Sequence, residues 1–193
     1  MASKKESTFV TMVLTLLIVT FVASAALGYL YELTKGPIAA SKLAKLNKAI
    51  TQVVPEYDTI PQNKVYKMEV DGDSLVFYPA YKNEKLIGTA VSTFTNQGFS
   101  GEIKLMVGFL PDGTIHNISV LEHKETPGLG DKMQKSKSDW SVQFNGKDPA
   151  NFQLLVTKDG GDVDAITAST ISSRAFCDAV QRAYNAYMEG GKK

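Results

Sequence analysis

The sequence predicts an α+β protein: a single N-terminal transmembrane helix, then an antiparallel-sheet domain with a packed C-terminal helix. Three observations carry this. An uncharged, almost wholly apolar run from Phe9 to Tyr31 opens the chain. Five β-branched or aromatic-rich segments follow after Lys64, with turn residues between some of them. The last segment changes to a helical period, with apolar residues four apart. A chain of 193 residues, 44% hydrophobic, accommodates one domain of ordinary size plus such an appendage.

Taken in order, Phe9 to Tyr31 reaches roughly 34 Å as a helix, enough to cross a hydrocarbon core of about 30 Å. Tyr29 and Tyr31 stand where an interfacial aromatic belt belongs. Ala23-Ser24-Ala25 after the basic start at Lys4 and Lys5 also fits a cleaved signal peptide, although apolar character continues past that point to Leu30 and Tyr31. Either way the chain is exported or membrane-bound. The lysines on the two sides (Lys4 and Lys5 before the span, Lys35, Lys42, Lys45 and Lys48 after it) leave the orientation open.

Pro37 to Val54 reads as a juxtamembrane helix, with Pro37 in its first turn and Pro55 closing it. Leu43, Leu46, Ile50 and Val53 form its apolar stripe. Its lysines fit either a face resting on anionic headgroups or the solvated side of a connector packed on its own domain. The organisation expected is a membrane anchor over 1–34, a juxtamembrane helix and linker over 35–60, and the sheet domain over 61–193.

In that domain "VYKMEV", "LVFYPAY", "KLIGTAVSTF", "GEIKLMVGFL" and "TIHNISVLEH" are read as an antiparallel meander. Asp71-Gly72-Asp73 and Pro111-Asp112-Gly113 mark two of its turns. "ETPGLGDKMQKSKSDW" breaks the pattern as a loop and short helix, and "FQLLVTK" reads as a further strand. From about Ile171 to Met188, Ile171, Ala175, Ala179, Ala183 and Tyr187, flanked by Phe176, Val180 and Tyr184, form a helical stripe to pack on the sheet.

Composition excludes some chemistry. A net charge of +1 and the lack of any nucleic-acid-reading motif give no reason to expect nucleic acid as a partner. Cys177 is the only cysteine, so there is no internal disulfide and no Cys/His set for zinc, iron–sulfur or haem. Redox chemistry here requires an organic cofactor.

Two stretches invite a functional reading. "VDAITASTISSRAFCDAV" crowds Thr167, Ser169, Thr170, Ser172 and Ser173 into the start of the last helix. Small hydroxyls there cap the helix; the same unpaired amides and positive dipole end also stabilise a phosphate, which Ala165 and Ala168 let approach closely. Attack by one of these hydroxyls is disfavoured, because only His116 and His123 are available as bases and no nucleophile elbow is present. A hydroxyl here suits an acceptor modified by another enzyme. "EHKETPGLGDK" brings Gly128 and Gly130 together behind Pro127, a turn suited to a planar ligand or a phosphate as well as to a purely structural role. It has neither P-loop nor dinucleotide-binding spacing.

Together, in this order and behind an N-terminal span, these stretches resemble the FMN-binding domain family, nearest its Rnf-complex G-subunit branch. The C subunit of the sodium-pumping NADH:quinone oxidoreductase is a related group. "GFSGEIKLMVGFLPDGTIHNISVLEHKETPGLGDK" resembles the family's strand–hairpin–loop segment, and "DAITASTISSRA" its flavin attachment segment. The resemblance implies FMN bound covalently by a phosphoester to a threonine, installed by a separate flavin transferase. Asp164 fits the pattern's aspartate, Thr167 its Ser/Thr and Thr170 its acceptor, while Ala168 and Ser169 stand where Gly and Ala are usual. Ser169 is the neighbouring candidate acceptor, and Ser172 and Ser173 cap or donate. Glu125, Thr126, Leu129 and Gly130 match the loop lining the flavin site. His123, Trp140 and Lys132 fit roles at the site or in the structure, and Cys177 fits the apolar side of the last helix. The function implied is an electron-transfer subunit, not an enzyme acting alone, relaying electrons between other subunits of an Rnf-type ion-translocating complex. The resemblance puts the chain in the inner membrane as a single-pass protein, its C-terminal domain on the outer side. A membrane-tethered, non-redox assembly module and a free-standing exported flavoprotein reductase are the competing functions; no NAD(P)H-binding pattern supports the latter.

Overall fold

The apolar run forms the beginning of one helix, α1 (Phe9–Val53), in a computed structural model that describes residues 8–70 and 72–190. Lys4 and Lys5 of the basic start and Asp71 of the first turn lie outside the described residues. The chain packs as two units that divide between Ala44 and Lys45.

In the first unit α1 is long and apolar enough to cross a membrane. Its hydroxyls turn inward on the helix: Thr15 donates to the Thr11 carbonyl at 2.7 Å and Thr20 to the Leu16 carbonyl at 2.9 Å. Polar side chains thereby find partners without water, as hydrocarbon surroundings require. The helix expected to begin at Pro37 does not begin there. Pro37 lies inside α1, where its missing N–H removes one bond of the ladder while the flanking turns continue.

The second unit is built on five strands, β1 (Tyr66–Val70), β2 (Asp73–Lys82), β3 (Lys85–Gly98), β4 (Gly101–Phe109) and β5 (Ile115–Glu122), hydrogen-bonded in chain order. All four pairings are antiparallel, as the meander predicts. Side chains alternate between the faces of a strand, and both faces of this sheet are covered. Ile103, Leu105, Val107 and Phe109 of β4 join the larger core with the last helix, α2 (Thr170–Gly190). Met106 joins a smaller one with Ala80, Ala90 and the Ala49, Ile50 and Val53 side chains at the end of α1. The connector reading of that segment therefore holds for Ile50 and Val53, whereas Leu43 is exposed. Gly108 makes the contact possible: a Cβ there would lie 1.7 Å from the Val53 carbonyl oxygen.

The α2 stripe meets the opposite face. Ala175, Phe176, Ala179, Val180, Ala183 and Tyr187 are buried. The Thr93 hydroxyl donates to the Ala179 carbonyl at 3.0 Å, and Tyr187 stacks on Phe109 with ring centroids 5.0 Å apart. Ile171, read as the first residue of that stripe, is instead exposed. "FQLLVTK" is not a strand. Leu154 and Val156 point into the core as its alternation requires, but its backbone bonds close locally. Leu155 N–H donates to Gln153 and Thr157 N–H to Val163, leaving one isolated bridge, Val156 to Val163. "WSVQF" is a 3-10 turn, Trp140–Phe144, preceded by another at Gly130–Met133.

Candidate functional site

The hydroxyl run and the glycine loop, separate in sequence, meet at one cavity of about 320 Å³ beside the start of α2. Glu125, Thr126, Leu129 and Gly130 line it from the loop after β5, and Ala168, Ser169, Thr170 and Ser172 from the helix start. Phe99 and Ile171 complete the wall. The expected Asp164 and Thr167 do not line it; both are exposed. The Asp164 backbone is clamped from outside, its N–H donating to Gln143 Oε1 at 2.9 Å and its carbonyl accepting from Trp140 Nε1 at 2.5 Å.

Thr170 opens α2. The first bond of the helix ladder is Ser173 N–H to the Ser169 carbonyl, at 3.0 Å. The amides of Thr170, Ile171 and Ser172 therefore belong to the unpaired first turn, and none has a partner among the described residues. Ser173 ties the entry together: its hydroxyl accepts from Ile166 N–H at 2.9 Å and donates to the Ser169 carbonyl at 3.0 Å. Ala168, just before, holds φ at 61°, a left-handed conformation that a Cβ disfavours. The place where the family pattern usually carries Gly is thus one where glycine is conformationally suited.

Glu125 joins loop to helix. Its carboxylate is buried, accepting from Ser172 Oγ at 2.5 Å and from Ser100 N–H at 2.9 Å. It lies at the N-terminal turn, where the helix dipole favours negative charge. Gly130 is what lets it pack there: a Cβ at Gly130 would fall 2.7 Å from both Glu125 Oε2 and Ser172 Oγ. His123 supports the same loop, Nδ1 accepting from Glu125 N–H at 3.0 Å while Nε2 meets the Gln134 side-chain amide.

Around this polar floor the rim is apolar and open: Phe99 is 67% exposed, Ile171 48% and Leu129 40%. Large apolar side chains left uncovered around a cavity mark a ligand surface. Phe99 and Ile171 were not among the expected site residues. Phe99 was legible as an aromatic inside the "QGFSG" turn, and Ile171 as the stripe position nearest the helix end. Trp140 belongs to the structure, packed edge-on against Phe144 and Phe176 at 5.5 and 5.0 Å. Lys132 is half-buried away from the cavity, its carbonyl accepting from Ser138 Oγ at 2.7 Å. Cys177 is buried on α2, and burial pushes its thiol up to about 12.

The site has the parts a flavin nucleotide needs: unpaired amides and a hydroxyl for the phosphate, and an apolar rim for the ring. The FMN-binding domain family model matches residues 98–185, which contain all of them. Among curated proteins, the chain is similar to the G subunit of the ion-translocating oxidoreductase complex of Shewanella amazonensis. Identity is 35%, over 83% of this chain and 80% of that one. Its counterpart from Salmonella typhi is 37% identical over 79% of this chain and 78% of that one. That from Erwinia tasmaniensis is 44% identical over 54% and 51%. Fold and site together define an FMN-binding domain carried behind a helix able to span a membrane. The chain belongs to the G-subunit family of ion-translocating oxidoreductase complexes.

Proposed function

We propose that this chain is the electron-carrying G subunit of a multi-subunit ion-translocating oxidoreductase in the inner membrane, holding FMN through a phosphoester on Thr170. The observation that carries the proposal is the Thr170 hydroxyl at the first turn of α2, beside three unpartnered amides and a cavity with an exposed apolar rim. When bound, FMN supplies the one-electron chemistry that no side chain of this protein offers.

The chain's own residues hold and tune. The amides of Thr170, Ile171 and Ser172 would hold the phosphate, and the helix dipole would offset its charge. Phe99, Leu129 and Ile171 would give the ring an apolar surface that excludes water, and Thr126 would offer a hydroxyl as a hydrogen-bond partner. Glu125, through Ser172 and Ser100, holds the loop and the helix start together on the two sides of the cavity that would take the cofactor. Asp164 and Thr167, exposed outside the cavity, are assigned to recognition by the flavin transferase. The single span tethers the flavin domain, residues 61–193, on the outer face of the membrane, where a covalent bond prevents loss of the cofactor to the exterior.

The test is to co-express the full chain with a flavin transferase and examine it on a denaturing gel. The expected result is in-gel flavin fluorescence and a mass gain of one FMN less water, both abolished by Thr170→Ala and retained by Ser169→Ala. An unmodified mass, as a non-redox assembly module predicts, sinks the proposal, and fluorescence that survives Thr170→Ala sinks the assignment of the acceptor.

A further inference from the structure

A second cavity, of about 580 Å³, lies between the tail of α1, strand β5 and the segment that follows the Gly130–Met133 turn. Lys45, Lys48 and Lys135 line it together with the polar side chains of Ser119, Gln134 and Ser136, and no Asp or Glu is among its lining residues. Two other lysines of this unit have carboxylate partners, Lys82 with Glu56 at 2.8 Å and Lys104 with Glu102 at 3.2 Å; what sets this cavity apart is that three lysines share one space. Lys45, Lys48 and Lys135 make no ion pair among the described residues. Three like charges around one space repel one another, and a bound anion reverses the sign of that interaction.

The walls are braced. Asn117 Nδ2 donates to the Gln52 carbonyl at 2.9 Å, pinning the helix tail to β5. Leu121 is skipped in the β4–β5 register, where Lys104 faces Glu122 and Leu105 faces Val120, and its carbonyl accepts from Lys45 Nζ. That bond anchors the Lys45 ammonium and leaves two of its three donors for a ligand.

From this geometry we infer that the cavity is a phosphate-binding site, distinct from the flavin site and independent of the flavin assignment. Ammonium groups act on phosphate as point charges without needing a planar fork, and the serine hydroxyls add neutral donors. The volume exceeds what one inorganic ion fills and falls within the range of about 300–1,000 Å³ usual for small-molecule sites. The phosphate belongs either to a soluble molecule or to a phospholipid headgroup.

The experiment uses the full-length chain and reads lysine acetylation by mass spectrometry. One arm adds pyrophosphate to protein in a zwitterionic detergent; the other compares nanodiscs of phosphatidylglycerol with nanodiscs of phosphatidylcholine. Protection of Lys45, Lys48 and Lys135, with Lys82 and Lys158 unaffected, is expected in the first arm for a soluble ligand and in the second alone for a lipid. Whichever probe protects should bind the double variant Lys48→Ala/Lys135→Ala more weakly by about tenfold per ammonium removed. Lys48→Arg/Lys135→Arg keeps the charge and should bind as the parent does, which separates lost charge from lost fold. Protection in neither arm, protection shared equally by Lys82 and Lys158, or undiminished binding by the alanine variant overturns the inference.

Discussion

Ala168 carries the clearest conformational tension in the site, a β-carbon on a backbone with φ of 61° immediately before the helix that bears Thr170. Ala168→Gly removes a left-handed penalty of about 1 kcal/mol, partly offset by greater freedom of the unfolded chain. Denaturant melts should therefore show a modest stabilisation, with flavin loading retained. Gly130 is the opposite case. Gly130→Ala places a methyl 2.7 Å from Glu125 Oε2 and Ser172 Oγ. That forces apart a buried hydrogen bond, at an expected cost of about 2–3 kcal/mol. The same melts, with flavin fluorescence alongside, would expose the error if Gly130→Ala behaved as wild type. Cys177, with its thiol held near 12 by burial, should resist alkylation at pH 8 in the folded protein and react once denaturant is added. Labelling of native protein as fast as of unfolded protein would contradict its placement in the core.

Among the elements, α2 joins core and site through its two ends. Its C-terminal half is held by Tyr187, stacked on Phe109 and donating to the Leu110 carbonyl at 3.1 Å. Tyr187→Ala should cost about 3–5 kcal/mol, as large aromatic deletions in cores do. Its N-terminal half is tied to the preceding loop by Arg174, which donates two bonds of 2.7 Å to Asp159. Those bonds hold the Asp159 carboxyl below its ordinary value. The sign follows from linkage: the contribution is complete above the unfolded carboxylate value and is lost as pH falls through the lower folded one. Asp159→Asn should therefore flatten the acid limb of the stability curve below about pH 4. Because the pair is exposed, the difference should shrink in high salt. Strand existence and order were readable because β-branched alternation and turn residues recur locally. "FQLLVTK" shows where such reading fails. Its alternation buries Leu154 and Val156 as a strand would, but a strand also needs a continuous neighbour, and no local pattern encodes one.

Across the molecule, the division at Ala44–Lys45 makes the helix tail part of the sheet unit. A chain begun at Lys45 should melt cooperatively, keeping Ile50 and Val53 against Ala80, Ala90 and Met106. One begun at Pro61 uncovers that face and should lose several kcal/mol, about 1.5–3 for each large apolar side chain it no longer buries. Dye binding and a broadened melt would report the loss. The candidate span also permits a test of the proposed sidedness: if the flavin domain lies outside, a reporter active only in the periplasm should function when fused after Lys193 and fail when placed before Ser3.

Membrane attachment, the meander, the last helix and the two chemical stretches were all legible in the sequence, because apolar runs, alternation and helix-start hydroxyls are local patterns. The meeting of Glu125 with Ser172, the inclusion of Phe99 and Ile171 in the rim, and the exclusion of Asp164 and Thr167 from it were not. Those depend on where β5 ends relative to the start of α2, a long-range placement set by burying both sheet faces at once. The same holds for the second cavity, which brings Lys135 to Lys45 and Lys48 of the helix tail, far from it in the chain. Local chemistry is written residue by residue, whereas proximity is a property of the packed whole.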